Sequence, residues 1–241
     1  MKIALISDLH GNEVALEATL ASIRRTGADQ IVCLGDVATL GVRPREVLAR
    51  LHDLGCICIM GNHDEFLLEP HMVHEYSEAP IVAAAVDWCR DRLTAEELTF
   101  VRGFERRREL DLGTGKLLLF HGSPRSHMEN LLATTPPDEL DECLGGEKAT
   151  VMAGGHTHLQ MLRQHRGALL VNPGSVGMPF REFVDGRAPT LLPHAEYATV
   201  TADPNGVSVT LHRVDLDKRA LRTSVAGSDN PLAPSLAQEW S

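Results

Sequence analysis

Short apolar runs alternate with segments of helically spaced apolar residues through the first quarter of the chain. Residues 2–7, 31–34 and 56–60 are dominated by apolar side chains, whereas residues 13–25 and 44–54 carry them at helical spacing. Short apolar runs predict buried strands, and the spaced segments predict amphipathic helices. The pattern therefore predicts a β-α-β-α-β unit with right-handed crossovers and a largely parallel sheet.

The middle of the chain continues with helices and strands. Residues 78–102 are predicted to be helical with a break near Leu93, because Thr94 and Glu97 form a capping box that begins a second helix. Three further elements are expected in order: a strand at 116–120, an acidic helix at 136–144 and a strand at 149–152.

Beyond residue 159 the pattern changes to strands joined by turns. Strands are predicted at 160–164, 168–171, 198–201 and 207–214. They indicate a sheet with antiparallel neighbours, which follows the first part of the chain with its alternating strands and helices, here called the wound half. Residues 177–197 are expected to form a long loop near the candidate functional site described below. We assign residues 1–214 to one domain and residues 215–241 to a C-terminal surface tail that includes a short helix near 231–240.

Composition and charge narrow the classes of function. The 241 residues include 23 Lys and Arg against 33 Asp and Glu, which gives a formal net charge of −10. An acidic chain disfavours a nucleic acid partner, which needs basic patches, but it permits a small anionic substrate. The start of the chain lacks the long apolar region of a signal peptide. The whole chain has five cysteines, an odd number that does not suggest a disulfide framework. We therefore expect a cytoplasmic protein with reduced thiols and no membrane partner.

Polar motifs follow five of the predicted strands. In chain order they are Asp8-Leu9-His10-Gly11-Asn12, Gly35-Asp36, Gly61-Asn62-His63-Asp64, His121-Gly122-Ser123 and Gly154-Gly155-His156-Thr157-His158. The carboxyl ends of parallel strands lie at one edge of a sheet, which is where such folds bind ligands. A plain solvated turn would explain residues 61–64 taken alone, but five motifs at five strand ends predict a common site.

The side chains of these motifs are those of a transition-metal site. Asp8 and His10 are two residues apart, as are His156 and His158, and an extended backbone would direct each pair to the same side. Imidazoles and carboxylates without a thiolate suit Mn²⁺, Fe, Zn²⁺, Ni²⁺ or Co²⁺ better than Ca²⁺. Asp36 could bridge two such ions, so the set is typical of a two-metal hydrolytic site.

The motifs closely resemble those of the calcineurin-like metallophosphoesterase superfamily. Two further stretches, Asn172-Pro173-Gly174-Ser175-Val176-Gly177 and His121-Gly122-Ser123-Pro124, are similar to its small prokaryotic phosphodiesterase branch. The resemblance covers roughly residues 1–214. It implies an α/β fold, a four-layer α/β/β/α sandwich of mixed sheets with a dinuclear metal site at the strand carboxyl ends. The implied activity is hydrolysis of a small-molecule or nucleotide-type phosphodiester by a water that two metals activate.

The resemblance also implies a role for each motif residue. One metal would be held by Asp8, His10, Asp36 and His158, and the other by Asp36, Asn62, His121 and His156, with Asp36 as the bridge. His63 would be the catalytic imidazole facing the substrate, and Asp64 would fix its orientation. The cofactors would be two divalent transition-metal ions, with Mn²⁺ favoured over Fe, Zn²⁺, Ni²⁺ or Co²⁺.

Several expectations and alternatives lie outside this ligand set. Arg125 and Arg181 are candidate substrate-binding residues, whereas the seven histidines outside the motifs, including His127, are expected at the surface or in loops.

The alternatives to a phosphodiesterase are a phosphomonoesterase or protein phosphatase and a catalytically weak metal-binding scaffold. The segment after Asp36 lacks the Asp-Arg-Gly signature of protein phosphatases. The expected partner is a small phosphate ester, and a homo-oligomer is left open.

Overall fold

The computed structural model describes residues 1–76, 79–184 and 187–241. The strands in these ranges are β1 (Lys2–Ile6), β2 (Gln30–Cys33), β3 (Ile57–Cys58), β4 (Arg108–Asp111), β5 (Lys116–Leu119), β6 (Val151–Ala153), β7 (Met161–His165), β8 (Ala168–Asn172), β9 (His194–Asp203) and β10 (Gly206–Asp215). The helices are α1 (Glu13–Thr26), α2 (Pro44–Asp53), α3 (Asn62–Leu68), α4 (His71–Tyr76), α5 (Pro80–Arg90), α6 (Ala95–Arg102), α7 (Pro137–Leu144), α8 (Lys218–Val225) and α9 (Ala233–Glu239).

The first sheet has the strand order β10-β9-β1-β2-β3 within the described residues. Strands β1, β2 and β3 are parallel, so the predicted β-α-β-α-β unit is confirmed. Strand β3 is shorter than the predicted 56–60: beyond Cys58, the Ile59 N–H still donates to the Cys33 carbonyl oxygen of β2 (2.8 Å), but Ile59 then forms only an isolated bridge with Glu105. Strand β9 pairs antiparallel with β1, and β10 pairs antiparallel with β9.

The second sheet has the order β4-β5-β6-β8-β7 over the same described ranges. Strands β5, β6 and β8 are parallel, and β4 and β7 are antiparallel edge strands. The sequence pattern does not predict β4, whose residues are mostly exposed and therefore carry little apolar periodicity. The predicted division into a wound half and a separate antiparallel half is wrong, because β7 and β8 extend the second sheet while β9 and β10 return to the first.

The two sheets pack face to face between outer layers of helices. Leu5 of β1 and Val151 of β6 belong to one buried apolar cluster between the sheets. Leu16 of α1 and Leu48 of α2 cover the outer face of the first sheet, and Leu140 of α7 covers the outer face of the second. The α/β/β/α layering is therefore confirmed, and its inner core joins residues from both halves of the chain.

The helices are short, and their ends follow local sequence signals. The capping box before α6 is confirmed, because the Glu97 backbone N–H donates to Thr94 Oγ1 (3.2 Å) and the Thr94 N–H donates to Glu97 Oε2 (2.7 Å). The predicted start of the preceding helix at residue 78 lies outside the described residues. In the part of the chain that the structure describes, no helix has the length and hydropathy required to cross a membrane.

The last 27 residues differ from the predicted surface tail. They contain α8 as well as the expected α9, and Leu221 and Leu236 of these helices are buried against Met178. The predicted loop at 177–197 also ends earlier, because β9 begins at His194, and its residues 185–186 lie outside the described residues. The C-terminal segment is thus packed structure, while the domain boundary at residue 214 stays a prediction.

Candidate metal centre

The predicted metal ligands come together where the carboxyl ends of the two sheets meet. Asp8 and Asp36 follow β1 and β2 of the first sheet, whereas His121 and His156 follow β5 and β6 of the second. Six ligands form two groups whose donor atoms lie within 4.8 Å of one another: Asp8, His10 and His158, here called the first cluster, and Asp36, His121 and His156, the second cluster. The predicted convergence therefore occurs, but between two sheets.

The first cluster places three potential donor atoms around one point. His10 Nε2 lies 3.1 Å from His158 Nε2, and His158 Nε2 lies 3.4 Å from Asp8 Oδ1. Asp8 Oδ1 is fully buried and accepts no hydrogen bond from any described residue. A buried carboxylate oxygen without a partner is costly unless a cation satisfies it. This arrangement fits a metal ion.

The second cluster is similar and is linked to the first through Asp36. His121 Nε2 lies 3.3 Å from Asp36 Oδ2 and 3.2 Å from Asn62 Oδ1. Asp36 Oδ2 also lies 3.9 Å from His10 Nε2, whereas Asp36 Oδ1 accepts the backbone N–H of His63 at 2.9 Å. Asp36 therefore stands between the two clusters, where the family resemblance implies a bridging ligand.

In three of the ligand histidines, Nδ1, the ring nitrogen that points away from the cluster, lies within hydrogen-bond distance of a backbone carbonyl or a hydroxyl oxygen. His121 Nδ1 is 2.7 Å from the Leu34 carbonyl oxygen, and His158 Nδ1 is 2.6 Å from that of Met178. His10 Nδ1 is 3.3 Å from Thr39 Oγ1. Since a carbonyl can only accept, Nδ1 carries the proton in His121 and His158. Such bonds fix ring orientation and direct Nε2 toward the cluster, as is typical of metal-binding histidines.

Burial keeps two of the ligand imidazoles neutral. It lowers the pKa of His10 well below its ordinary value, and the charge on His158 adds to this effect. Burial likewise lowers the pKa of His156 to about 4. A neutral imidazole has the free lone pair that a metal ligand needs.

The other two ligand imidazoles pair with carboxylates. Burial lowers the pKa of His121, but the charge of Asp36 and a hydrogen bond to it outweigh burial and raise that pKa to about 9. Burial also lowers the pKa of His158, but the charge of Asp8 outweighs this effect and raises that pKa. Burial raises the pKa of Asp36, yet the nearby imidazoles hold it well below its usual value. A divalent ion would compete with the protons of His121 and His158, so binding would release protons.

Most of the ligands have left-handed backbone, contrary to the expected extended conformation. The φ angles are 54° at Asp8, 45° at His10, 57° at Asp36, 70° at His156 and 57° at His158. His156 and His158 consequently serve different clusters and do not share one locale. Each such residue costs on the order of 1–3 kcal/mol and persists only where the surroundings hold it.

Asp64 has partners other than the predicted ones. Its carboxylate accepts the backbone N–H groups of Asp36 (2.8 Å), Val37 (2.9 Å) and Gly61 (3.0 Å). Among the described residues no hydrogen bond joins Asp64 to the His63 side chain. The predicted orientation of His63 by Asp64 is therefore wrong, since Asp64 instead fixes the loop that carries Asp36. Burial raises the pKa of Asp64 to about 7.

His63 lies beside the first cluster without belonging to it. Its ring centroid is 5.0 Å from that of His10 and 5.1 Å from that of Phe66. His63 Nδ1 is buried and has no hydrogen-bond partner among the described residues. Burial also lowers the pKa of this imidazole. His63 therefore lies next to the clusters with one ring nitrogen unpartnered among the described residues, and its role toward a substrate stays a prediction.

The two arginines proposed to contact substrate form ion pairs at the surface. Arg125 Nε donates to Glu129 Oε1 at 2.7 Å, and Arg181 Nε donates to Glu182 Oε2 at 3.4 Å. Both side chains are more than half exposed. Their role toward substrate stays a prediction.

Three side chains make contacts that sequence reasoning does not predict. Ser175 Oγ donates to the Asp8 carbonyl oxygen (2.7 Å), and Asn172 Nδ2 donates to that of Gly155 (2.6 Å). His127, expected at the surface or in a loop, is largely buried, with Nε2 2.8 Å from Glu65 Oε2. The first two belong to the Asn172–Gly177 motif, whereas no local pattern links His127 to a residue 62 positions earlier.

A large cavity lies away from these ligands. Its volume is about 760 Å³, and Asp141, His165 and Arg166 are among the residues that line it. It is next to the amino ends of β5, β6 and β8, at the opposite edge of the second sheet. Since none of the predicted site residues lines it, the chemistry of the donor set, not cavity size, identifies the functional site.

The family assignment follows from a match over most of the chain. Residues 1–191 match the model of the calcineurin-like phosphoesterase superfamily domain. The chain belongs to this superfamily. The superfamily uses divalent metals, and the two ligand clusters agree with that chemistry. Relatives named as a phosphodiesterase and as a tetraphosphatase support a hydrolase.

Relatives in the superfamily support the assignment. An uncharacterized protein of Methanocaldococcus jannaschii is 31% identical over 193 residues, which are 73% of this chain and 76% of the relative. Phosphodiesterase YfcE of Escherichia coli K12 is 28% identical over 192 residues, covering 74% of this chain and 81% of that protein. A metallophosphoesterase structure from Sphaerobacter thermophilus is 28% identical, has a TM-score of 0.74 and covers 99% of both chains.

Proposed function

We propose that the protein is a phosphodiesterase that uses two divalent transition-metal ions. The observation that carries this proposal is the pair of buried clusters with Asp36 between them. The relationship to a protein named phosphodiesterase YfcE supports a diester as substrate. Divalent cations in such a site act as Lewis acids toward phosphoryl oxygens and lower the pKa of water.

The proposed ligand set uses the donor atoms that face each other. Asp8, His10, Asp36 and His158 would hold one ion, and Asp36, Asn62, His121 and His156 the other. None of the seven residues supplies a thiolate sulfur, so the set suits Mn²⁺, Fe, Zn²⁺, Ni²⁺ or Co²⁺ better than Ca²⁺. We propose Mn²⁺, with the other four metals as alternatives. Asp64 supports this set indirectly, because it fixes the backbone on both sides of the Asp36 carboxylate.

His63 is the proposed catalytic residue of the chain. Its buried imidazole would donate a hydrogen bond to the phosphoryl group or a proton to the leaving oxygen. Proton transfer by a positioned side chain is worth typically ~10²- to 10⁴-fold in rate. Arg125 and Arg181 are proposed phosphate contacts, and each would exchange its present carboxylate partner for the substrate.

A pair of chromogenic esters tests the reaction class. The purified protein, supplied with Mn²⁺, would be assayed against bis(p-nitrophenyl) phosphate and p-nitrophenyl phosphate, which release the same alcohol. We expect a higher kcat/KM for the diester and loss of activity in the Asp36→Asn variant, because Asp36 lies between both clusters. A preference for the monoester would favour a phosphomonoesterase, and Mn²⁺ binding without hydrolysis of either ester would favour a scaffold.

A further inference from the structure

We propose that residues 217–240, here called the C-terminal helical pair, position the ligands of the first cluster and thereby set its metal affinity. This segment comprises α8, α9 and the turn between them, and it lies beyond the residues that the superfamily model matches. The inference rests on the proposed two-metal function. It goes further because it assigns a role to a segment without any ligand and predicts an effect on one metal position only.

The first route runs through the segment after Gly177 to His158. The Met178 carbonyl oxygen lies 2.6 Å from His158 Nδ1, and the Phe180 ring stacks on the His158 ring at a centroid distance of 4.2 Å and an interplanar angle of 26°. The Phe180 backbone N–H also donates to the His158 carbonyl oxygen at 3.2 Å. His158 is therefore held on its outer nitrogen, on one ring face and on its backbone by two residues.

The C-terminal helical pair packs directly on those two residues. Met178 is buried in one apolar cluster with Leu221, Val225, Ala233, Leu236 and Trp240, and Phe180 and Leu191 pack against it. Glu239 Oε2 accepts the Leu191 backbone N–H at 3.2 Å, and Leu191 forms a bridge with Phe180. Displacement of the pair would release the segment that holds His158.

The second route runs from Asn230 to His10. Asn230 is 2% exposed, and its Nδ2 donates to the carbonyl oxygens of Leu40 (3.2 Å) and Gly41 (3.0 Å). The same loop contributes Thr39 Oγ1, which lies 3.3 Å from His10 Nδ1. Gly41 packs so closely on His10 that a Cβ at position 41 would overlap the His10 carbonyl oxygen. One side chain thus anchors the loop that supports a second ligand.

Contacts of the second cluster follow other paths. His121 Nδ1 is held by the Leu34 carbonyl oxygen, and the Asp36 loop is held by Asp64. Among the described residues, no hydrogen bond joins residues 217–240 to Asp36, His121 or His156. Left-handed backbone needs support from its surroundings in both clusters, but the two routes from the C-terminal helical pair lead to His10 and His158. Loss of that support should therefore affect the first cluster and spare the second.

The sharpest variant is Asn230→Asp, assayed at pH 8. It keeps the side-chain shape and the oxygen that accepts the Leu232 N–H (2.8 Å), but it loses both donations to the 40–41 loop. The probe is Mn²⁺ alone, titrated by calorimetry. The His156→Ala background removes a ligand of the second cluster, so Mn²⁺ binding in it reports on the first cluster. The His158→Ala background removes a ligand of the first cluster, so Mn²⁺ binding in it reports on the second.

We expect Asn230→Asp to raise the Kd for Mn²⁺ about tenfold in the His156→Ala background, a ratio that corresponds to about 1.4 kcal/mol. In the His158→Ala background the Kd should stay the same. In the otherwise unmodified chain, Mn²⁺ content at a fixed free concentration should fall from two ions per chain toward one.

A second variant and a matched control separate positioning from general instability. Leu236→Ala deletes a buried side chain of the C-terminal helical pair, and Leu140→Ala deletes one of α7 on the far face of the second sheet. Both should lower the thermal midpoint. Only Leu236→Ala should weaken Mn²⁺ binding in the His156→Ala background.

Three outcomes would overturn the proposal: an equal loss of Mn²⁺ affinity in both backgrounds, no loss in either, or the same loss in Leu140→Ala. If the unmodified chain binds no Mn²⁺, this proposal and the two-metal proposal fall together. If it binds two ions but hydrolyses no ester, the proposed function falls and the positioning proposal stands.

Discussion

The histidines of the candidate metal centre have their ring orientations fixed by hydrogen bonds. His121 and His158 each have one ring nitrogen bonded to a backbone carbonyl, so the second nitrogen is directed toward a carboxylate. Because a carbonyl oxygen accepts hydrogen bonds and cannot donate them, it also sets the tautomer: Nδ1 carries the proton and Nε2 has the free lone pair. His63 differs, since its Nδ1 has no such partner within the described ranges. This contrast agrees with the proposed roles, in which His121 and His158 bind metal and His63 does not.

Replacing His63 by Ala should affect turnover and not metal binding. We expect kcat to fall ~10²- to 10⁴-fold, the usual contribution of a positioned acid or base. Metal content, measured by elemental analysis, should remain that of the unmodified protein, because His63 belongs to neither cluster. His52→Ala is the matched control, since His52 is exposed on α2. An unchanged kcat would remove His63 from the mechanism.

At the scale of elements, helix α3 explains why the adjacent residues Asn62, His63 and Asp64 face three different parts of the molecule. Helix α3 begins at Asn62, so successive side chains point about 100° apart around its axis. Asn62 consequently faces His121, His63 faces His10, and Asp64 faces the Asp36 loop. A strand end or an extended turn would not have separated them in this way.

The capping box of α6 allows a prediction about stability. Thr94→Ala removes the side chain that accepts the Glu97 N–H, and we expect it to lower the free energy of unfolding by about 1 kcal/mol. Urea unfolding followed by circular dichroism measures this change. Thr99→Ala in the same helix is the control, because Thr99 Oγ1 donates only to the Ala95 carbonyl oxygen. Equal losses in the two variants would contradict a capping role.

At the scale of the whole molecule, the metal centre links the two sheets. Asp8, His10 and Asp36 follow strands of the first sheet, and His121 and His158 follow strands of the second. The first and second clusters each combine ligands from both sheets. The donor atoms therefore meet only when the sheets are packed, so ion binding at this centre would be coupled to folding.

Metal addition should accordingly raise the stability of the protein. A single Mn²⁺ site at a free concentration 100 times its Kd adds about 2.7 kcal/mol to the free energy of unfolding. The thermal midpoint should rise with Mn²⁺ and fall again with a chelator. The Asp36→Asn variant should lose most of the shift, because Asp36 lies between the clusters. A midpoint indifferent to Mn²⁺ in the unmodified protein would exclude this coupling.

Local patterns in the sequence determined the strand order of the wound unit and the polar residues at its strand ends. Apolar runs identified β1 and β2, and Asp8 and Asp36 were predicted as ligands from their positions directly after them. The capping box at Thr94 was also readable, because it involves residues three positions apart. These features depend on chain neighbours and on the periods of helix and strand, which a sequence displays directly.

The local residue pattern leaves open which ligands meet: the family resemblance implies their grouping, and only the tertiary structure brings them together. His10 and His158 are 148 positions apart, and their contact depends on the packing of two sheets that the sequence pattern did not separate. Other tertiary contacts stabilise left-handed backbone at His158, give Asp64 its three backbone partners, and fold residues 217–240 against Met178. Such contacts satisfy buried polar groups and strained backbone across the molecule, so no local periodicity encodes them.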